Sequence, residues 1–582
     1  MSFLGLEAEQ YDRVYKDRDL LKRIFSYFTP YKRSMGIVIF FLTLASLSNA
    51  LVPVLGSLTI NILESNQSPL LLIFVIIFIL ILNLLSWVFN YFQQRHSALV
   101  IGDIMLDLRK DANTAVLNHD LSFFDKNPTG KIVSRINTDS REFGQTVELS
   151  MNLISSILVI LFLLIVMFFI SLILTFTFLM LIPLFFIVAL SFRKVARRKT
   201  LLGQRALAIV NNFVQETFSG IQIAKTFRQE EKLYEDFNKV NNQSYNVNLK
   251  RAFVLNTILP VLSIAQGVVL TLLIYFGGSA MLGGQITVGG LYLFIQSLYL
   301  ILFPLNTLAS FWPAFQAGLS ASERIFGLID AIPIVIQNND IKPNRFMGEI
   351  EFKNLTFQYE DNRPVFDNFS LKIQPGESVA IVGHTGAGKS SLAKLLNRFY
   401  EFQEGDLLID GTSIRNFDLK EYRRQIGFIP QTPFLWADSV RDNIRYYCKN
   451  ASDNDVINAL NNTGGSEWIE DLSNGLNTFV QERGKILSMG QRQLVVFARV
   501  ILENPSILIL DEATASVDPF TETQIQDALE KTIKGRTSII IAHRLWTVRH
   551  VNRIIVLDHG KIVEEGNHDQ LMAKGGTYAI LY

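Results

Sequence analysis

The amino-acid sequence predicts an all-α transmembrane domain of six helices fused to an α/β P-loop nucleotide-binding domain, and three observations carry that prediction. Asp, Glu, Lys and Arg make up 18% of the 582 residues, yet none occurs in residues 35–63, 69–94, 151–192 or 252–322. Residues 383–390 read G-H-T-G-A-G-K-S, after an apolar run at 378–382 and before a helical run at 391–396. Residues 507–512 read I-L-I-L-D-E, a hydrophobic strand that ends in two carboxylates.

The chargeless stretches come first in the chain. A charge at mid-bilayer costs about 2.5–3.5 kcal/mol even on the lenient insertion scale, so their absence is what lipid selects. At roughly 20 residues per span, the stretches accommodate helices at about 35–62, 69–94, 148–170, 173–193, 252–280 and 288–314. The run 151–192 is too long for one span and must fold back between Ser171 and Thr175, and Gly283, Gly284, Gly289 and Gly290 mark the turn between the last two spans.

On the other side, residues 95–148 and 193–251 are dense in Lys and Arg, including Arg193, Lys194, Arg197, Arg198 and Lys199. The positive-inside rule makes that side cytoplasmic, together with both termini. Apolar periodicity in 101–117 and 206–227 predicts that the membrane helices continue into the cytosol as stalks. Residues 330–346 lose that periodicity and turn rich in Pro, Asn, Asp and Ile, as a linker does. The expected domains are therefore 1–330 in and beside the membrane, 331–347 as linker, and 348–582 as a soluble domain whose short β-rich runs alternate with helices around a mainly parallel sheet.

A net charge of +1 without a basic stripe gives no case for a nucleic-acid partner. The single cysteine, Cys448, excludes an internal disulfide framework and reads as an incidental thiol.

The chemistry lies in the soluble domain. Gly383, His384, Thr385, Gly386, Ala387, Gly388, Lys389, Ser390 and Ser391 form a loop and helix start whose glycines let backbone N–H groups turn toward phosphate oxygens. Lys389 is expected to reach the β- and γ-phosphates, and Ser390 to place its hydroxyl on Mg²⁺. Asp511 and Glu512 emerge at the C-terminal edge of their strand, where α/β sheets bind ligands. Asp511 is the expected Mg²⁺ partner, and Glu512 the residue that polarises the attacking water.

Residues 487–491, L-S-M-G-Q, followed by Arg492 and Gln493, resemble the signature of the ATP-binding-cassette superfamily. Tyr359, Gln431, residues 481–484, residues 515–518 and His543 follow in the family's order. The segments F-Q-Y at 357–359, A-S-E-R-I-F at 321–326 and G-Q-I-T-V-G-G at 284–290 are similar to those of exporter-type half-transporters such as lipid A flippases and bacterial multidrug pumps.

That resemblance implies that Tyr359 stacks on the adenine of ATP, that Gln431 ligates Mg²⁺ or holds the water, and that His543 bonds the γ-phosphate and holds Glu512. It further implies that Ser488, Gly490 and Gln491 serve ATP bound to an opposite subunit, so that one chain is half of a dimer. The short segments 122–125 with 128–130, and 220–225, match the family's coupling helices. Met489 and Gln481 stand where the family usually has glycine; retention of Glu512 and His543 makes the chain a competent variant.

Aromatic residues in the spans, Trp87, Phe89, Tyr275, Phe276, Tyr292, Tyr299 and Trp312, accompany uncharged Asn83, Asn256, Gln266, Gln296 and Asn306, a lining that suits amphipathic compounds. The same residues also suit lipid-facing, interfacial and interhelical positions. The expected function is ATP-driven, multidrug-type export of hydrophobic or amphipathic compounds across the plasma membrane by a homodimer that works among membrane lipids. A heterodimer, a lipid flippase on the same fold, and a non-pumping regulator or channel are the alternatives.

Overall fold

The computed structural model describes residues 17–65, 69–335, 337–359, 364–464, 466–511, 519–542 and 548–581. Its contacts divide the chain into two compact units, Met1–Leu117 with Thr129–Ala331, and Asn118–Pro128 with Ile332–Tyr582.

The first unit is helical. It contains α1 (Asp17–Phe28), α2 (Lys32–Glu64) and α3 (Pro69–Leu117) before the excursion into the second unit. After it come α5 (Thr129–Ser134), α6 (Ser140–Ile170), α7 (Leu172–Ser219), α8 (Ile221–Thr226), α9 (Glu230–Leu282) and α10 (Val288–Ile329); α4 (Leu121–Lys126) belongs to the second unit. The helices α3, α7 and α9 hold 49, 48 and 53 residues. At 1.5 Å per residue they are about 70–80 Å long, more than twice a hydrocarbon core of about 30 Å, as the predicted stalks require.

Among the described residues, 4 helices are long and apolar enough to cross a membrane: Arg18–Glu64, Pro69–Leu117, Thr129–Ile170 and Glu230–Leu282. Leu172–Pro183 of α7 and Val288–Leu302 of α10 are shorter apolar stretches, so among the described residues four of the six expected spans are met at full length. Their outward faces are apolar, with Phe74, Trp87, Phe169 and Met180 exposed, the surface a lipid solvent accepts and water does not. Inside, Leu163, Met167, Phe178, Val269, Leu273, Phe294 and Leu298 are fully buried in one cluster.

The fold-back between α6 and α7 takes a single residue. Ser171 is extended and caps α7 by accepting from Leu174 N at 3.3 Å. The last turn is shorter than the glycine pattern predicts: Thr287 caps α10 by accepting from Gly290 N at 3.1 Å, which places Gly289 and Gly290 inside the helix. Gly289 has another reason to be glycine. A Cβ there would stand 2.1 Å from the Ser57 carbonyl oxygen, and its N–H donates to Asn61 Oδ1 at 2.9 Å, so α2 and α10 approach backbone to side chain. Near the other end of α10, Arg324 donates to both carboxylate oxygens of buried Asp139, at 2.9 and 2.6 Å, beside a π-helical turn at Arg135–Asp139.

Among the described residues the second unit carries ten strands in two sheets. Strands β1 (Ile350–Gln358), β2 (Pro364–Ile373), β4 (Glu404–Ile409) and β5 (Thr412–Ser413) form an antiparallel sheet in the order β2-β1-β4-β5. The other sheet has the order β10-β9-β3-β8-β7-β6, made of β3 (Ser378–Val382), β6 (Ile426–Ile429), β7 (Ile507–Asp511), β8 (Thr537–Ile541), β9 (Arg553–Asp558) and β10 (Lys561–Gly566). Only β10 runs antiparallel there.

The expected mainly parallel sheet is thus joined by an antiparallel one, whose strands β1 and β2 alternate buried and exposed residues and lack the continuous apolar runs that betray buried parallel strands. The parallel strands feed two cores by alternation: Ala380, Val382, Leu508, Leu510 and Ile540 pack on one face, and Val379, Ile381, Ile507, Ile509 and Ile541 on the other. The segment before β1 packs on this unit as well, Ile341 bridging Phe417 and Phe346 standing edge-on to Phe417 and Tyr422.

Gly289→Ala is expected to cost about 1–3 kcal/mol through overpacking and to lower the thermal midpoint in detergent. A Cβ at Gly278 meets nothing within 4 Å, so Gly278→Ala is the control that leaves the midpoint unchanged. Equal midpoints for the two variants would show that α2 and α10 are not in contact at Gly289.

Candidate active site

Strand β3 delivers the chain to Gly383, whose Cβ would stand 2.2 Å from the Leu557 carbonyl oxygen, so no side chain fits there. Gly386 and Gly388 have φ of +86° and +103°, the left-handed region that glycine enters without penalty. Among the described residues, nothing beyond its chain neighbours lies within 4 Å of a Cβ built at Gly386, so that side of the loop is open to them. His384, Thr385 and Gly386 are exposed, whereas Ala387 is buried and donates its N–H to His384 O at 3.1 Å to close the loop.

Helix α11 (Lys389–Leu396) starts from the loop. Lys389 is 5% exposed, and its Nζ donates to Gly383 O at 2.7 Å and His384 O at 3.0 Å. Burial pulls its pKa below the ordinary lysine value, opposed by the Asp511 carboxylate. Ser390 is exposed at the helix start, while Ser391 is buried and shares a 2.9 Å hydrogen bond with the Tyr359 hydroxyl.

Register gathers the other residues. In the parallel sheet Ile381 pairs with Ile541, Ile541 with Asp511, and Leu510 with Ile429. The C-terminal ends of β3, β8, β7 and β6 therefore lie level along one edge, which brings Gly383, Ala542, Asp511 and Pro430 together; exposed Gln431 follows Pro430. Glu512, residues 515–518 and His543 lie outside the described residues.

The signature residues sit at the start of another helix, α16 (Met489–Glu503). Ser488 caps it, accepting from Gln491 N at 3.1 Å, while Gln491 Oε1 accepts from Ser488 N at 2.9 Å, a reciprocal capping box. Among the described residues no hydrogen bond joins Ser488, Gly490 or Gln491 to the loop at 383–391. Met489, the departure from glycine, is the first residue of α16 and is partly exposed.

Gln481, the other departure, carries a backbone consequence: φ is 62° and ψ is −177°, a region that is essentially glycine-only and costs about 1–3 kcal/mol for other residues. Its neighbours hold it there, Val480 N donating to Asp438 O at 2.9 Å and Gly484 N to Gln481 O at 3.1 Å.

A cavity of about 1720 Å³ opens beside α16 and α12 (Leu419–Arg424), lined by Trp436, Tyr446, Cys448, Arg424, Arg499 and Glu503 among others. Burial pushes the Glu503 carboxyl up to about 7 against the lowering influence of Arg424 and Arg499. Burial also raises the Cys448 thiol above its ordinary value.

Three residues escaped the sequence reading as site neighbours: Tyr400, Asp120 and Asp125. Tyr400 is buried and stands edge-on to Tyr359 at 5.0 Å, and its hydroxyl donates to Asp125 of α4. Tyr400 lies beyond the end of α11, Asp120 is the N-cap of α4 and Asp125 lies within α4; none carries a period that would have marked it as a neighbour of the nucleotide loop.

The loop fits a nucleoside triphosphate: among the described residues it has open space beside Gly386, a helix N-terminus at Lys389, and a buried cation bonded to two loop carbonyls. Among the described residues no group of three or more His, Cys, Asp or Glu side chains could hold a metal, so Mg²⁺ at Ser390, Asp511 and Gln431 would take most of its shell from phosphate and water.

The chain is similar to known proteins over nearly its whole length. Residues 35–305 match the family profile of the ABC transporter transmembrane region, and residues 366–515 that of the ABC transporter. The chain is 35% identical over 562 residues to the uncharacterized ABC transporter ATP-binding protein YknV of Bacillus subtilis, covering 96% of this chain and 93% of that one. It is 35% identical over 568 residues to the putative ABC transporter ATP-binding protein exp8 of Streptococcus pneumoniae, covering 97% of each. It is 32% identical over 566 residues to an ATP-dependent lipid A-core flippase of Syntrophus aciditrophicus, covering 97% and 94%. A membrane region of exporter type followed by an ATP-hydrolysing cassette defines a class, and this chain belongs to it: it is an ABC half-transporter.

Two outcomes follow from the backbone and charge around α16. Gln481→Gly relieves about 1–3 kcal/mol of strain at an entropic cost of about 0.5–1 kcal/mol, so the cassette's unfolding midpoint should rise, whereas Gln481→Val should lower it. Unchanged midpoints in both would place Gln481 in relaxed backbone.

For Glu503, the folded chain holds a proton between about pH 4.5 and 7 that the unfolded chain has released. Its contribution to stability therefore worsens as pH rises through that window and is flat above it. Glu503→Gln should stabilise most near pH 8 and least near pH 5 in chemical denaturation; a gain independent of pH would show that Glu503 titrates normally.

Proposed function

We propose that two copies of this chain assemble into an ATP-driven exporter of hydrophobic or amphipathic compounds in the plasma membrane, with both termini and the cassettes in the cytoplasm. The observation that carries it is the phosphate loop held open at Gly386 over a buried Lys389, in one chain with helices long enough to cross a bilayer and continue beyond it.

In this reading the loop amides of residues 383–390 and the α11 N-terminus hold the phosphates, and Lys389 exchanges its two carbonyl partners for phosphate oxygens. Mg²⁺, when bound through Ser390, Asp511 and Gln431, supplies charge neutralisation to those oxygens. Tyr359 offers a ring face to adenine. Glu512 polarises the water that attacks the γ-phosphorus, and His543 orients that carboxylate. The attack is a phosphoryl transfer, in which positioning and charge stabilisation supply nearly all the catalysis.

The signature is reserved for the second copy. The cap at Ser488 and the N–H groups opening α16 form an anion-accepting helix end that makes no bond to its own loop among the described residues. A second chain brings such an end to the γ-phosphate of the first, and two identical chains give two equivalent sites. Closure with ATP and reopening after hydrolysis bias the stalk helices between two arrangements, which is the requirement for vectorial movement.

For the cargo, two of the polar groups in the spans are already engaged. Asn83 Nδ2 donates to Ile79 O at 2.8 Å and Gln296 Nε2 to Tyr292 Oη at 3.1 Å. The side chains of Asn306 and Trp312 lie outside the described residues. The predominantly apolar composition of the spans supports hydrophobic cargo over ions or sugars. A lipid flippase is the second reading, favoured by the 32% identical relative of that name and disfavoured by the lack of Lys or Arg in residues 35–63, 69–94, 151–192 and 252–322.

Proteoliposomes containing this chain alone separate the readings. ATP-dependent flux of a cationic amphipathic dye, abolished by Glu512→Gln with turnover reduced at least about a hundredfold, is the expected result. Movement of a head-group-labelled lipid without dye flux would favour the flippase. ATP hydrolysis by neither would mean that a different second subunit is required.

A further inference from the structure

We infer that Tyr400 is a positioning residue that reports occupancy of the nucleotide's base site to α4, the short helix continuous in sequence with the long helix α3. The inference rests on the reading above that adenine stacks on Tyr359.

The two rings are in contact. Tyr359 and Tyr400 meet edge-to-face, with centroids 5.0 Å apart and planes at 88°, and both lie against Phe357, at 4.8 and 6.1 Å. The Lys394 ammonium stands 5.4 Å from one ring centroid and 5.3 Å from the other. Tyr359 is partly exposed and anchored at its tip by Ser391 of α11, the helix that starts from the phosphate loop. Tyr400 is buried, and its one polar atom donates to Asp125. Burial, reinforced by that carboxylate, holds the phenol above its ordinary pKa, so it remains a donor at any physiological pH.

Asp125 lies in α4, and α4 is fastened at its other end too. Asp120 caps it, accepting from Phe123 N at 3.3 Å through one oxygen, while the other oxygen accepts from Ile334 N at 2.6 Å and Val335 N at 3.2 Å. His119 stacks on Phe123 at 4.1 Å, which stiffens the first turn. Only Asn118, His119 and Asp120 separate α4 from the end of α3 at Leu117.

A base laid on Tyr359 changes the charge distribution and the freedom of the ring that Tyr400 packs against, and packed aromatic clusters pass such a change by discrete repacking rather than by bending. The Tyr400 hydroxyl is the polar link from that cluster to α4. The consequence is specific: the base, in addition to the phosphates, sets the position of α4, so nucleotide binding and α4 movement separate when the hydroxyl is removed.

Tyr400→Phe tests this while keeping the ring. In full-length protein carrying Glu512→Gln, hydrogen exchange of the 121–126 amides is measured without nucleotide, with ATP, and with inorganic tripolyphosphate, which has no base. ATP should change exchange in α4 at least threefold, and tripolyphosphate should not; with Tyr400→Phe the ATP effect should vanish while ATP affinity stays within twofold.

In the Glu512 background, Tyr400→Phe and Asp125→Asn should each cut dye-stimulated ATPase about fivefold with basal KM unchanged, and the double variant should lose no more than either. A tripolyphosphate effect equal to that of ATP, or additive losses in the double variant, would overturn the inference. Failure of the unsubstituted chain to bind ATP would instead overturn the nucleotide reading on which it rests.

Discussion

Parallel pairing of β3 with β8 and of β8 with β7 is the constraint on which the cassette depends. Because the strands are parallel and in step, Gly383, Ala542 and Asp511 come to one edge without any local instruction in the loops. The cost of such a sheet is that both faces must be covered, and the alternation of Val379, Ala380, Ile381 and Val382 into two separate cores meets it. Loops at that edge are then free to be shaped by ligand chemistry: Gly383 is glycine because Leu557 O stands where its Cβ would be, and Gly386 because the backbone turns left-handed.

The helical unit obeys a different solvent. In lipid each backbone amide must be satisfied inside its own helix, so the elements are long and the turns short, down to the single residue Ser171. Packing between helices then turns on close approach and isolated polar contacts rather than on burial of apolar surface. Gly289 against Ser57 and Ser86 donating to Asn49 at 2.8 Å are such contacts.

Around the nucleotide loop the structure keeps its charges waiting. Lys389 is satisfied by two carbonyls of the loop it would serve, so binding of phosphate is an exchange of acceptors rather than the burial of a new charge. The Ser488 cap likewise satisfies the first turn of α16 from within the chain. Strain is placed just ahead of it, at Gln481, in backbone that glycine would adopt freely. The aromatic group of Tyr359, Tyr400 and Phe357 joins this region to α4 through one hydroxyl.

Much of this was legible in the linear chain because it obeys local rules. Missing charges over whole spans mark lipid, the glycine spacing ahead of Lys389 marks an anion cradle, and a hydrophobic strand ending at Asp511 marks a ligand edge. Each depends only on residues adjacent in sequence and on the solvent around them. The antiparallel sheet and the contact of Gly289 with Ser57 were decided by tertiary packing. So were the raised Glu503 carboxyl and the meeting of Tyr400 with Asp125, 275 positions away. Periodicity reports which face of an element is buried, but not which distant surface buries it; that is fixed by strand register and helix approach, to which residues far apart in the chain contribute together.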